Sequence, residues 1–203
     1  MDPLQPVPSG TSSVGADASL KKKIGLFILE LIQVVLISLA IIIPIRYFLV
    51  QPFYVKGASM EPNFYDHEYL IIDELSYRFH EPKRGDIVVF RYPRDPAQIF
   101  IKRVIGLPGE TVEIADGKIK LYNADHPNGI PLEETYLDQV FTSSAQAVTL
   151  KAGEYYLMGD NRAASLDSRI FGAVDRQFIV GRVWLRGFPF DRWKLFNETV
   201  YTF

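Results

Sequence analysis

Lys56-Gly57-Ala58-Ser59-Met60-Glu61-Pro62 stands at the junction between a long apolar run and a chain that reads mostly as β-strand. Gly57 lets a backbone approach a ligand closely, and Pro62 stiffens the exit from the turn. Together they can present the Ser59 hydroxyl outward. A serine in such a turn is more often a loop or capping residue than a nucleophile. Ser59 therefore acquires chemical meaning only if a base lies elsewhere in the chain.

Upstream, Ile24 to Ile45 is apolar apart from Glu30, Gln33 and Ser38. As a helix, a run of this length spans roughly 30 Å, the thickness of a bilayer core. It is longer than the roughly 7–15-residue apolar core of a cleaved leader. Ile41-Ile42-Ile43-Pro44-Ile45-Arg46 also lacks the small residues of a cleavage site. A permanent membrane anchor over 24–50 is expected. Lys21, Lys22 and Lys23 precede it, and only Arg46 follows closely. Lysine and arginine accumulate on the cytoplasmic side, which puts the N-terminus in the cytoplasm and everything after Phe48 outside. Tyr47, Phe48, Phe53 and Tyr54 suit the outer interface. Residues 1–23 read as a disordered cytoplasmic tail, because Pro, Ser, Gly and Ala dominate Met1 to Ser19.

The 203 residues are enough for one domain with an appendage. A net charge of −2 argues against a nucleic-acid partner. Without cysteine there is no disulfide, thiolate nucleophile or Cys-ligated zinc. His67, His80 and His126 form no H-E-x-x-H motif, and no glycine-rich phosphate loop appears. Neither a metal nor a cofactor is expected.

Downstream, Tyr69 to Ile72, Ile87 to Tyr92 and Ile99 to Ile105 read as strands, with a loop at 93–96. Thr111 to Ile114 and Lys118 to Tyr122 flank Asp116-Gly117 as a hairpin. The segment from Asn123 to Thr149 is polar with few strand signals, and Phe178 to Leu185 reads as a closing strand. The fold class is mostly β: an antiparallel sheet domain over 51–203, with a smaller β-subdomain inserted at about 108–155.

Within Ile99 to Ile105, Lys102 shares a face with Phe100 and Val104. Burying an ammonium on such a face lowers its pKa, and a lysine neutral near pH 7 is a usable base. An edge lysine whose stem packs while its head reaches water fits the same pattern. A serine activated by a lysine is a known alternative to the Ser-His-Asp arrangement. It suits this chain, because neither a G-x-S-x-G elbow nor an S-x-x-K motif surrounds Ser59.

The chain resembles the bacterial type I signal peptidases, membrane-bound leader peptidases with a serine-lysine dyad. The resemblance rests on Ser59-Met60-Glu61-Pro62, then Gly85-Asp86-Ile87-Val88-Val89-Phe90, then Lys102 through Glu110. It ends with Gly159-Asp160-Asn161-Arg162, continuing through Ser165-Leu166-Asp167-Ser168-Arg169 to Gly172. It implies a serine endopeptidase that removes signal peptides from secreted preproteins, with Ser59 as nucleophile and Lys102 as general base. Ser165 would orient the Lys102 amine, and Asp167 and Arg169 would pair to hold their loop. Gly57 and Ser59 would supply the oxyanion donors. Phe53, Val55, Leu70, Val89 and Ile101 would line shallow pockets for small residues at positions −1 and −3. The implied partners are those preproteins and the lipid bilayer, with the export translocon a further candidate. The implied location is the plasma membrane, an internal membrane remaining open. Two positions depart from the family pattern. Asn63-Phe64 replaces the usual Thr-Leu, and Gly57 stands where some members carry a serine. Two rival readings share the features: a repressor-type serine-lysine autoprotease and a non-enzymatic membrane-tethered β-domain.

Overall fold

The computed structural model describes residues 14–44, 51–138 and 141–196. The chain divides into two units, residues 1–45 and 46–203. In the first, α1 runs over Val14–Pro44. It starts well before Ile24, so the expected disordered tail is helical from Val14 onward. Ala16, Ala18, Leu20 and the lysines are good helix formers, and lengthening an existing helix avoids the cost of nucleation. Within α1, Lys23–Ile43 is long and apolar enough to cross a membrane. Its side chains are exposed on every face of the helix, as suits a segment solvated by hydrocarbon rather than by a protein core. Residues 1–13 and 45–50, including Tyr47 and Phe48, lie outside the described residues.

The second unit holds two antiparallel sheets. The larger contains β1 (Gln51–Tyr54), β2 (Tyr69–Asp73), β3 (Ile87–Tyr92) and β4 (Asp95–Gly106). The smaller contains β5 (Thr111–Ala115), β6 (Lys118–Tyr122), β7 (Ile130–Pro131) and β8 (Ala145–Thr149). The chain then returns to the larger sheet with β9 (Glu154–Met158), a short helix α2 (Ser168–Phe171), β10 (Val174–Asp175), β11 (Ile179–Phe188) and β12 (Lys194–Leu195). The large sheet has the order β1-β2-β11-β3-β4-β9-β10, with β12 on β11; the small one is β7-β6-β5-β8. Since β4 and β9 are neighbours, the chain between them leaves the main sheet, forms the small one and comes back.

Alternation explains the core. On β3, Val88 and Phe90 pack with Val104, Tyr155, Leu157 and Ile179, while Ile87 and Val89 pack with Met60, Phe64, Leu70, Ile72 and Ile101. A strand apolar on both faces is thus buried on both. The small sheet closes over Ile105, Tyr156 and Met158 with Val112, Ile114, Ile119 and Leu121. The 93–96 loop is tighter than its prolines suggested, because Tyr92 already pairs with Asp95 across the β3–β4 hairpin. Strands β7 and β8 escaped the sequence reading. One is two residues long, and the other, Ala-Gln-Ala-Val-Thr, carries a single large apolar side chain.

Candidate active site

Ser59 lies in the turn between β1 and β2. The base of this loop is closed by Val55 N–H donating to Glu68 O (2.9 Å) and His67 N–H donating to Val55 O (3.1 Å). Gly57 adopts φ +88°, a conformation costly for any side-chain-bearing residue. Met60 and Phe64 are fully buried, anchoring the far side of the turn in the core. Ser59 is thereby fixed at a boundary, partly exposed beside two buried anchors.

Lys102 enters from β4 and is only 3% exposed. Its Nζ donates to Ser59 Oγ at 2.7 Å and to Ile101 O at 2.8 Å. Burial lowers the Lys102 pKa to about 8, even though Asp167 and Asp160 act to raise it. Those two carboxylates are weakened as partners because each is engaged by another cation. Arg103 grips Asp160 with two bonds of 2.8 and 2.6 Å, and Arg169 grips Asp167 with two of 2.8 and 2.7 Å. Burial alone would raise the Asp167 pKa, but Arg169 and the Gly159 N–H hold it low. An unpaired carboxylate near Lys102 would favour the ammonium; a paired one leaves desolvation dominant.

The loop after β9 supports both partners. Asn161 donates through its backbone N–H to Ser59 O (3.1 Å) and through Nδ2 to Ala58 O (3.1 Å). A Cβ on Gly159 would collide with Ser165 Oγ and with the Ser59 carbonyl, so only glycine lets this loop approach Ser59. Arg162 donates to Gly159 O (3.0 Å), to Thr142 Oγ1 (3.0 Å) and to both oxygens of Glu134. The Tyr136 ring stacks 3.8 Å from the Arg103 guanidinium. The inserted segment therefore braces the site from behind.

A cavity of about 210 Å³ opens beside Ser59 and Lys102, lined also by Phe53, Tyr54, Lys56, Ile99, Phe100 and Ile101. Its two walls are strand edges. β1 ends the sheet order, and β9 pairs β4 only from Arg103 onward, leaving the 99–102 edge of β4 without a neighbour among the described residues. An extended peptide can bond both edges by strand addition.

The sequence profile of the family described as "Signal peptidase, peptidase S26" matches residues 28–188. The chain belongs to the bacterial type I signal peptidase family. It is 37% identical over 174 residues to a probable signal peptidase I-1 of Synechocystis, covering 82% of this chain and 86% of that one. A signal peptidase IB of Staphylococcus aureus is 31% identical, over 82% of this chain and 93% of its own. A solved signal peptidase I from Enterococcus faecalis aligns with TM-score 0.43 and 35% identity, covering 51% of this chain and 97% of that structure. Family membership makes the chain a hydrolase of the serine peptidase type.

The signal peptidase site residues expected from sequence fall in three groups. Ser59, Lys102, Phe53 and Ile101 meet at the cavity, and Asp167 pairs with Arg169 behind it. Val55, Leu70 and Val89 do not line it; they are buried at 1, 0 and 3% exposure in the core cluster that includes Ile101. Two details need correction. Ser165 Oγ is buried but makes no hydrogen bond to Lys102, whose amine is turned to Ser59 Oγ and Ile101 O instead. The Gly57 N–H is not open to an oxyanion, since it donates to Asp66 Oδ1 at 2.9 Å. The Ser59 N–H makes no hydrogen bond within the described residues. Tyr54, Lys56, Ile99 and Phe100 went unnoticed in the sequence as cavity residues, as did Gly159, Asn161 and the Arg103–Asp160 pair as supports.

Proposed function

We propose that this signal peptidase cleaves preproteins through a Ser59–Lys102 dyad, the carrying observation being the 2.7 Å Nζ–Oγ separation at the end of an edge-lined cavity. The neutral Lys102 amine accepts the Ser59 proton as Oγ forms a bond to the scissile carbonyl carbon. The carbonyl π pair moves onto oxygen, where the Ser59 N–H stabilises the developing charge. As the C–N bond breaks, the Lys102 ammonium returns its proton to the leaving amine. Water then enters, gives a proton to Lys102 and bonds to the acyl carbon. The ester C–Oγ bond breaks, and Ser59 takes the proton back.

The residues before the scissile bond extend along the slot between β1 and β4. Phe53, Ile99 and Ile101 leave it narrow and apolar, which favours small side chains at −1 and −3. Neither Asn63 nor Phe64 lines this cavity. The lysines before the apolar helix and the few cations after it favour a cytoplasmic N-terminus and an extracytoplasmic peptidase unit, in the plasma membrane. Exposed Tyr54, Tyr69, Phe188, Phe190 and Trp193 on that unit suit the headgroup level of a bilayer, where preproteins leave the export machinery.

The test is cleavage of a peptide bearing an Ala-X-Ala site by detergent-solubilised full chain, with products mapped by mass spectrometry. Cleavage after the −1 alanine, absent in both Ser59→Ala and Lys102→Ala, is the expected result. Cleavage that survives Ser59→Ala overturns the mechanism.

A further inference from the structure

We propose that Asp66 is a positioning residue for the acyl-transfer step. It fixes the Gly57 peptide and so aims the Ser59 N–H at the scissile carbonyl. The proposal rests on the serine-lysine reading above and concerns the same site.

Asp66 sits across the nucleophile turn from Gly57. Its Oδ1 accepts two backbone N–H groups, from Gly57 at 2.9 Å and from His67 at 3.1 Å. Its Oδ2 lies 3.0 Å from His67 Nδ1. The Gly57 bond is the largest single cause holding the Asp66 pKa below the usual carboxylate value. One carboxylate therefore ties together both unusual backbone conformations of the loop. Gly57 has φ +88°, and His67 has φ +69°, an uncommon value for a non-glycine residue. At the base of the turn, Val55 is bonded in both directions, to Glu68 and to His67.

This arrangement bears on catalysis through Ala58 and Ser59. Gly57 is free to rotate its peptides, since it has neither a Cβ nor any atom within contact range of where one would be. Only hydrogen bonds fix it. On the far side, Asn161 holds the carbonyl oxygens of Ala58 and Ser59. On the near side, Asp66 holds the Gly57 N–H. The Ala58 C=O and the Ser59 N–H belong to one peptide plane, which Asn161 holds from one end, while Asp66 holds the Lys56–Gly57 peptide two units upstream; the Ser59 N–H aimed in this way makes no hydrogen bond among the described residues. Without Asp66, the Gly57 N–H needs a new acceptor, and the substrate carbonyl becomes one of the choices, in a geometry not set by the fold. An oxyanion hole is worth most when its donors need no reorganisation at the moment of reaction.

The role belongs to the acceptor oxygen rather than to the charge. A carboxylate close to a developing oxyanion is unfavourable in itself, and the Lys56 ammonium, which also lines the cavity, acts in the opposite sense as a minor influence. An asparagine keeps an oxygen for the two N–H groups, and its Nδ2 can donate to a neutral His67 Nδ1.

The experiment compares wild type, Asp66→Ala and Asp66→Asn as full chains in detergent micelles. It reads kcat and KM on an Ala-X-Ala peptide, and hydrogen exchange of the Gly57 amide. In Asp66→Ala, kcat is expected to fall about tenfold with KM little changed, the size of one lost bond to a charged acceptor. The Gly57 amide should lose its protection. Asp66→Asn should recover most of both. Undiminished kcat in Asp66→Ala, equal losses in Ala and Asn variants, or an unprotected Gly57 amide in wild type would each overturn the proposal. Failure of the wild type to cleave would instead overturn the peptidase reading, and the amide protection would still report on the Asp66 contact.

Discussion

At the scale of the residue, burying Lys102 costs the fold stability, and the proposed mechanism uses the lowered pKa that results. Its pKa drops from 10.5 to about 8 because the ammonium is desolvated. Such a drop corresponds to roughly 3 kcal/mol of cost to the folded state while the group is charged in both states. Between about pH 8 and the unfolded value the unfolded chain binds more protons, so stability rises with pH across that window and is lost as pH falls back through it. Lys102→Met, which keeps the stem and removes the charge, should raise the unfolding free energy at pH 7 by about 2–3 kcal/mol, measured by denaturant titration of the peptidase unit. An unchanged midpoint would mean that the ammonium is not desolvated. Gly159→Ala tests a different constraint. A methyl there strikes the Ser59 carbonyl and Ser165 Oγ, so the loop must withdraw from the proposed nucleophile. Displacing catalytic groups by about 1 Å costs on the order of a hundredfold in rate, and kcat of the variant should fall by about that factor.

Residues were legible in the sequence to different depths. Lys102 could be singled out because its face mates, Phe100 and Val104, are two positions away on the same strand. Val55, Leu70 and Val89 alternate just as correctly, but alternation says which face a side chain takes and not whether that face meets a core or a cavity. The Arg103–Asp160 pair was invisible because it joins β4 to a distant loop in space, and the Asp66–Gly57 bond because it depends on how a single long turn folds back on itself. Gly57 as an oxyanion donor failed for the same reason: its neighbour across the turn supplies an acceptor that no local pattern announces.

At the scale of the element, β1 and the 99–102 stretch of β4 present the two edges of the cavity. If the peptide joins them as a strand, its backbone N–H groups carry binding energy. Methylating the backbone nitrogen of the −1 or −3 residue should therefore raise KM about tenfold or more in a steady-state peptide assay, consistent with a lost hydrogen bond plus a steric clash. Equal KM for methylated and plain peptides would count against strand addition. The inserted segment makes a second element-scale claim. Arg162 has no side-chain exposure and pairs with Glu134 from the insert, so removing Glu134 strips a buried guanidinium of its ion-pair partner and leaves only the more distant Asp160 charge. Glu134→Ala should destabilise the peptidase unit by about 3 kcal/mol and lower kcat alongside, read by thermal unfolding and peptide cleavage. The strong strands of this region were readable from branched and aromatic residues, as in Ile87 to Tyr92. β8 was not, because its pairing with β5 depends on partners rather than on its own Ala-Gln-Ala-Val-Thr composition. The helix was readable by apolar length, but its start was not, because Val14 to Lys23 is helix-compatible and polar at once.

At the scale of the whole molecule, the proposed signal-peptide removal asks for a residence at the membrane and a slot for an extended chain, and the described residues hold one helix long and apolar enough to cross a membrane and a β-sheet unit with an edge-lined cavity. The dyad is the claim on which the rest depends. Three histidines are present, none of them in the cavity, and the ionisable group touching Ser59 is Lys102. The most direct measurement is the pH dependence of kcat/KM on a soluble Ala-X-Ala peptide. The account predicts a rising limb with a midpoint near 8, carried by loss of the Lys102 proton in the free enzyme. A midpoint near the histidine value of about 6.5, or no rising limb at all, would contradict it.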